Sequence, residues 1–423
     1  MRFACALAVF SAHSALSAPA AAQREIQTIS TIGRYRTPGT RAVGDAIVRV
    51  TREAPVAKAA WNAVQVRAYN AVNVEPQVKS LAGSLATARE ANKFNVQTAR
   101  EALDLALVFC VSKDSRYYGH AMSRLRLFRT AFNPAVELPA IQTNHQYHLL
   151  YARDWLPTLV YVYDILYNVT PAAERERTER WLRQMTSTLA RQDVWERWKN
   201  TTHGSWQAAA LGVVGAALQD DAMLALAEKR IRYQMQTLLG PEGFWAGGSL
   251  TLHYTATRAF LAYAEATLHN KVSAYSWCNT RGESYIKSAV TAPLMLLDPF
   301  AEIPGNDHAE TKTVPPDMCL IGALRFNDAL LASIAFSQTT NVDEETLLMY
   351  FKLPDKIVRP QARPPHSVIC PTLGWAVLRT GIAAPDKDLY ARLDYGPQGD
   401  ETGHADKLDL YFCGNGRRVM SCD

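Results

Sequence analysis

Residues Arg100 to Val111 read REALDLALVFCV, and their apolar side chains recur at the spacing of one helix face. This helical texture extends outward over residues 95 to 350. The spacing predicts further helices over 115–131, 145–168, 171–191, 203–218, 221–239, 253–269, 281–297 and 315–336. At Thr170-Pro171 a capping hydroxyl precedes a proline at the first helical position, where proline is tolerated. No alternating, strand-like pattern interrupts the series. Helices joined pairwise over so long a stretch indicate a ring or solenoid. Without a fixed-period repeat, an incomplete (α/α) toroid of antiparallel helix pairs fits better than a regular array.

The texture changes at Pro354, Pro360, Pro364 and Pro365, which form a linker over 354–365. Beyond it lie short alternating runs at Gly374–Arg379, Leu389–Tyr395 and Leu408–Cys413. The last meets a Gly414-Asn415-Gly416 turn and returns over Arg418–Cys422. These read as the start of an antiparallel β-sandwich domain over 366–423. A sheet of about sixty residues would leave its buried face and its edges uncovered, so the chain is expected to be truncated. The expected organisation is mainly α: a signal peptide over 1–22, a helical toroid over 23–353, the linker, and an incomplete sandwich.

The N-terminus sets Arg2 before a short apolar run and ends in Ala20-Ala21-Ala22, the pattern of a secretory leader cut after Ala22. The mature protein is therefore expected in the periplasm or outside the cell. The run is too short to span a bilayer, and no later segment has that apolar length. The 423 residues carry a net charge of +5, of which the leader holds Arg2, leaving +4. This mild basic bias suits an anionic polymer. No Lys/Arg run or nucleic-acid motif accompanies it, so a nucleic-acid partner is not expected. Of seven cysteines, Cys5 lies in the leader, and Cys110, Cys278, Cys319, Cys370, Cys413 and Cys422 lack metal-binding spacing. They read as buried thiols.

If successive helices are antiparallel, alternate connections share one end. The short set lies at 169–170 and 219–220, joined by 270–280. The long set lies at 192–202, 240–252 and 298–314, and long loops on a rigid scaffold are where sites sit. That rim would gather Asn144, His145, Tyr147, His148, Arg153, Asn200, His203, Trp206, Trp245, His253, Tyr254, Asn306, Asp307 and His308. Aromatic faces stack on sugar rings while amides and charges reach hydroxyls and carboxylates, so the set suits a carbohydrate cleft. The plainer alternatives are a capping His203, a core Tyr254, packing roles for Trp206 and Trp245, and an Arg153-Asp154 ion pair. His253 and Tyr254 lie about 100° apart on a helix, so at most one of them faces the cleft squarely.

Three motifs occur in order: Asn200-Thr-Thr-His203-Gly-Ser-Trp206, Pro241-Glu-Gly-Phe-Trp245-Ala-Gly-Gly-Ser249-Leu-Thr-Leu-His253-Tyr254, and Gly403-His404-Ala-Asp406-Lys407-Leu408. Together with the switch from helical to β texture, they resemble the alginate lyase and heparinase II/III group of polysaccharide lyases, over about residues 95–423. The resemblance implies β-elimination of a uronate polymer, alginate or glycosaminoglycan-like. His203 would be base or carboxylate neutraliser. Tyr254 would be acid, and base if its phenol is deprotonated. Asn200, Trp206, Trp245, His253, His145, His148, Arg153 and His404 would bind substrate. Where such proteins commonly carry Asn, Glu and His, this chain has Thr202, Gly247 and Thr402. The resemblance also attaches a structural zinc to His404 and Asp423, with a third ligand in a longer chain; the reaction itself requires no cofactor. Two other readings stay open. A glycoside hydrolase would use rim carboxylates among Glu242, Asp307 and Glu310, and an inactive homologue would bind glycan without turnover.

Overall fold

The structure, a computed structural model, describes residues 39–134, 137, 150–268, 273–305, 313–337, 342–344, 346, 348, 366–381, 386–396 and 408–420. The expected leader and the linker at 354–365 lie outside them. Among the described residues the helices are α1 Gly39–Glu53, α2 Pro55–Val72, α3 Leu85–Ser112, α4 Ser115–Ala131, α5 Leu156–Leu166, α6 Ala172–Ala190, α7 Gln192–Trp198, α8 Thr202–Leu218, α9 Asp221–Leu238, α10 Leu250–Ala266, α11 Tyr285–Thr291, α12 Pro316–Phe326 and α13 Ala329–Ser337.

The helix on which the others converge is α8. It packs against α5, α6, α7, α9 and α10. Its sequence, THGSWQAAALGVVGAAL, is apolar and small on every side, the signature of a helix buried all round. Every residue of α8 except His203 is buried. The stretch Arg100–Val111 lies in α3, whose side chains from Ala102 to Val108 are buried against α1, α4 and α5.

Several boundaries move, each for a local reason. Of the helix expected from 145 to 168, the described part is interrupted: residues 150–152 are helical, 153–155 form a turn, and α5 starts at Leu156, where Pro157 fits the first turn. Pro171 stands at the cap of α6 rather than inside it, while the Thr170 hydroxyl donates back to Leu166 O at 2.8 Å. The helix expected over 315–336 is two, α12 and α13. Asn327 adopts φ 51° at the end of α12, and Asp328 Oδ1 accepts the Leu330 and Leu331 amides. The span 281–297 holds only α11 and a 3-10 turn, Ala292–Leu296, begun by Pro293. Helix α7 lies inside what read as the loop 192–202, and α1 and α2 precede the stretch where the pattern was legible.

The strands are β1 Val368–Cys370, β2 Trp375–Arg379, β3 Tyr390–Asp394, β4 Leu410–Gly414 and β5 Arg417–Met420, an antiparallel meander in sequence order. β1 is the strand not expected. Asn415 and Gly416 both have positive φ, 50° and 69°, so β4 and β5 are joined by the two-residue hairpin turn the sequence implied. One face of the sheet is not uncovered, as its size had suggested. Cys370, Trp375, Val377, Tyr390, Arg392, Tyr411 and Cys413 are buried. The chain from 295 to 305 lies against that face. Tyr390 OH donates to Leu296 O at 2.8 Å, Arg379 Nη1 to Leu297 O at 2.8 Å, Tyr411 OH to Asp298 Oδ2 at 2.8 Å and Arg392 Nη1 to Gly305 O at 3.0 Å. The other face exposes Ile369, Leu378, Leu393 and Leu410. The sheet thus clasps the segment that leads into the expected rim loop after Pro299.

Candidate active site

The rim is built at the ends of α7, α8, α9 and α10. α6 ends where the buried Arg230 of α9 donates to the carbonyls of Leu189, Ala190 and Arg191 at 2.5, 2.9 and 3.1 Å. A cation there also meets the negative end of the helix. The chain turns through α7 to Trp198. Thr201 then caps α8, its hydroxyl donating to Trp198 O at 2.9 Å and accepting from the Gly204 amide at 3.4 Å. Buried Gln234 of α9 donates to Lys199 O at 2.9 Å and Thr201 O at 3.2 Å. Gly204 has no space for a side chain, because a Cβ would lie 2.4 Å from Trp198 O. This corner fixes His203, the partly exposed position of α8, with its ring 5.9 Å from that of Trp198.

The second wall is α10. It is entered through a tight loop in which Leu239 pairs with Trp245 and the Gly240 amide donates to Phe244 O at 2.8 Å. His253, fully buried, fastens that loop. Its Nδ1 accepts the Trp245 amide at 3.2 Å, so its Nε2 carries the proton toward Ala289 O at 3.0 Å. Tyr254 is 4% exposed and its hydroxyl has no hydrogen-bond partner among the described residues. Burial, then the nearby Cys319 thiol, push its pKa up against the opposing charge of Arg258. The phenol therefore keeps its proton at neutral pH.

Tyr254 is not the only such group here. Ser205 Oγ and Trp206 Nε1 at the start of α8, and Ser249 Oγ and Thr257 Oγ1 on the facing α10 side, are buried and likewise unpartnered among the described residues. Each such group costs about 1–3 kcal/mol relative to a satisfied one. These groups lie on α8, on α10 and at the cap of α10.

The model of the family described as alginate lyase matches residues 51–293. The chain belongs to the alginate lyase family. No curated protein sequence matches it. Among solved structures it is similar to an alginate lyase from Bacteroides ovatus, with TM-score 0.57, 12% identity, 73% of this chain and 98% of that one covered. It is also similar to alginate lyase A1-III complexed with tetrasaccharide, with TM-score 0.51, 14% identity and coverage of 70% and 94%. Heparinase III gives TM-score 0.51 at 14% identity, with 83% of this chain covered. This chain spans about half the length of heparinase III, 52% of it. At these identities the likeness is one of fold.

Within this alginate lyase fold, the sequence candidates separate. His203 and Tyr254 stand on adjoining helices, near their rim ends. Trp206 and Trp245 are buried at 8% and 3% exposure, and the Trp245 ring packs on Phe260, so packing describes them better than an open sugar platform. Asn200 is exposed, its Oδ1 accepting the Tyr233 hydroxyl at 2.9 Å. Arg153 is exposed and donates to Asp154 Oδ1 at 2.5 Å; Asp154 is held in turn by Asn92 at 2.8 Å, so the plainer ion-pair reading applies. His253 is corrected outright: a fully buried ring with both nitrogens bound to backbone touches no substrate. Glu242 Oε2 accepts the Thr372 hydroxyl at 2.7 Å, which ties it to the sheet. Asn144, His145, Tyr147, His148, Asn306, Asp307, His308, Glu310, His404 and Asp423 lie outside the described residues. Among the described residues no group of three or more His, Cys, Asp or Glu is placed to hold a metal, and no helix is long and apolar enough to cross a membrane. Of the five described cysteines, Cys110, Cys319, Cys370 and Cys413 are buried free thiols as expected, whereas Cys278 is free and exposed.

Sequence reasoning missed Gln234, Arg230 and Arg258. The first two act through backbone carbonyls, which leave no trace in residue patterning. Arg258 was legible only as one charged position on an otherwise apolar helix face.

His253 makes a pH prediction. Burial lowers its pKa from 6.5 to about 4, opposed by its bond to Ala289. The folded state therefore takes up this proton less readily than the unfolded state. Stability from this group is complete above pH 6.5 and is lost as pH falls to about 4. The loss is about 3 kcal/mol. Denaturant unfolding at steps between those pH values should show it. His253→Gln, which can accept and donate at the same two carbonyl and amide partners, should flatten the curve.

Proposed function

We propose that the chain is a polysaccharide lyase that cleaves a uronate-containing polymer, alginate or glycosaminoglycan-like, by β-elimination. One observation carries the reading: α8, buried along its length, opens only at His203, beside an α10 whose buried Tyr254 hydroxyl is protonated and has no partner among the described residues.

Elimination needs three things. A base takes the C5 proton next to the carboxylate, the carboxylate charge is neutralised as negative charge develops, and an acid protonates the departing C4 oxygen. Because its phenol holds its proton, Tyr254 is assigned the acid. His203 is assigned the base. The C5–H bond breaks to His203, its electron pair forms the C4–C5 double bond, the C4–O bond breaks, and the leaving oxygen takes the Tyr254 proton. Solvent exchange resets both groups. The start of α8 supports the carboxylate, since backbone amides and the helix dipole favour an anion there. No cofactor enters these steps. The zinc that the sequence resemblance attached to His404 and Asp423 would be structural. The leader-like N-terminus supports export to the periplasm or beyond.

The test is incubation of the full chain with alginate, heparan sulfate and other uronates, following near-ultraviolet absorbance of unsaturated products. Absorbance should rise with at least one polymer and be lost in His203→Ala. A folded protein giving no rise with any of them overturns the reading.

A further inference from the structure

The elimination proposed above calls for a cation at the uronate carboxylate, yet the positions that departed from the resemblance carry Thr202, Gly247 and Thr402. Thr202 is itself buried. A different cation stands one helical turn beyond Tyr254 on the same face of α10, namely Arg258. Its Nε and Nη2 donate to the two oxygens of Asp317 at 2.8 and 2.9 Å, the fork-on-fork arrangement that fixes a guanidinium in plane. Asp317 sits in the first turn of α12, directly after the long connection from Leu297 to Pro315. The pair therefore joins the middle of α10 to the first turn of α12.

Arg258 is both crowded and reachable. Desolvation by surrounding protein is the strongest single influence on its charge, offset by Asp317, Tyr254 and Asp343, while its side chain remains 44% exposed. Asp317 occupies the Nε/Nη2 edge, and no described residue hydrogen-bonds Nη1, so a donor edge remains one helical turn from Tyr254.

We propose that Arg258, oriented by Asp317, binds the carboxylate of a uronate residue through its Nη1 edge, one helical turn from Tyr254. This rests on the lyase reading and adds a specificity-determining residue to it. A neutral hexose polymer offers no partner to that edge and is discriminated against, whereas a uronate gains a charge-assisted hydrogen bond. The Asp317 pair also explains why the cation stays charged and in place with no substrate bound.

The experiment is calorimetric titration of the full chain with a uronate oligosaccharide and with its carboxyl-reduced neutral counterpart, alongside cleavage assays and melting curves. Arg258→Ala should weaken uronate binding about tenfold to a hundredfold and leave the neutral oligomer's affinity unchanged. Arg258→Lys should recover part of the loss, because a point charge replaces a planar donor. Asp317→Asn should fall between them. Should Arg258→Ala fail to fold, Arg258→Gln against Arg258→Lys makes the same comparison with the side-chain stem retained. A wild type that cleaves uronates while Arg258→Ala binds them equally well overturns this proposal alone. So does a variant that loses both oligomers equally, since that is a packing role. A wild type that neither binds nor cleaves any uronate overturns the lyase reading and this proposal with it.

Discussion

Replacing Tyr254 by phenylalanine should lower turnover about a hundredfold to ten-thousandfold while leaving the protein as stable as before, or slightly more so. The two halves of this result have one cause. The Tyr254 ring is 4% exposed and packs 5.6 Å from the His253 ring, so phenylalanine fills the same space. Its hydroxyl has no partner among the described residues. Removing a buried hydroxyl that lacks a hydrogen bond takes away a desolvation cost and breaks no interaction. The same atom is the proton donor assigned to the departing oxygen, and a positioned general acid contributes at about the magnitude given. Steady-state kinetics and a thermal melt on one preparation test both halves. Full activity would remove Tyr254 from the mechanism. A large fall in melting temperature would show that the hydroxyl is structural.

Arg230→Met should destabilise the protein by about 3 kcal/mol or more and reduce kcat without changing KM to match. Arg230 is 2% exposed and donates to three carbonyls at the end of α6, its guanidinium stacked 4.9 Å from the centre of the Trp195 ring. Burial lowers its pKa to about 10, which leaves it charged at neutral pH. Methionine keeps much of the volume and none of the donors, so three carbonyls lose their partners in a dry corner. That corner delivers α7, Trp198 and then His203. A rotated corner misplaces the base against a substrate that still binds, and small displacements of a reacting group are costly. Denaturant unfolding and a kcat-against-KM comparison read the two effects. A stability change under about 1 kcal/mol, within the range of ordinary surface substitutions and their scatter, would contradict this account of the corner.

Both positions show what the sequence made legible. The helical ring was readable because α3 and α10 carry apolar periods and α8 is a long run of small apolar residues, and the rim was inferred from which connections are long. His203 was legible as a polar residue at the start of an otherwise apolar helix, and Tyr254 as a residue opening a helix after a glycine-rich loop. The two neighbours do part: His253 fastens the Trp245 loop, while the Tyr254 hydroxyl has no hydrogen-bond partner among the described residues. What escaped was carried by partners remote in sequence. Arg230 acts on carbonyls some forty residues away, 39 to 41 positions back. Gln234 acts on Lys199 and Thr201, and Asp317 orients Arg258 across a separation of 59. Helix α7 escaped because seven residues give too little periodicity to separate a helix from a loop. The cover on the sheet's buried face escaped because it comes from the chain around Leu296 and Asp298, which carries no strand pattern of its own.

The central claim is that this rim breaks a uronate linkage by elimination. Mass spectrometry of the products from a uronate oligosaccharide of defined length tests it most directly. Elimination adds nothing to the chain it cuts, so the two fragment masses should sum to that of the parent, with the unsaturated end on one fragment. Fragments that together exceed the parent by one water would show hydrolysis and contradict the account.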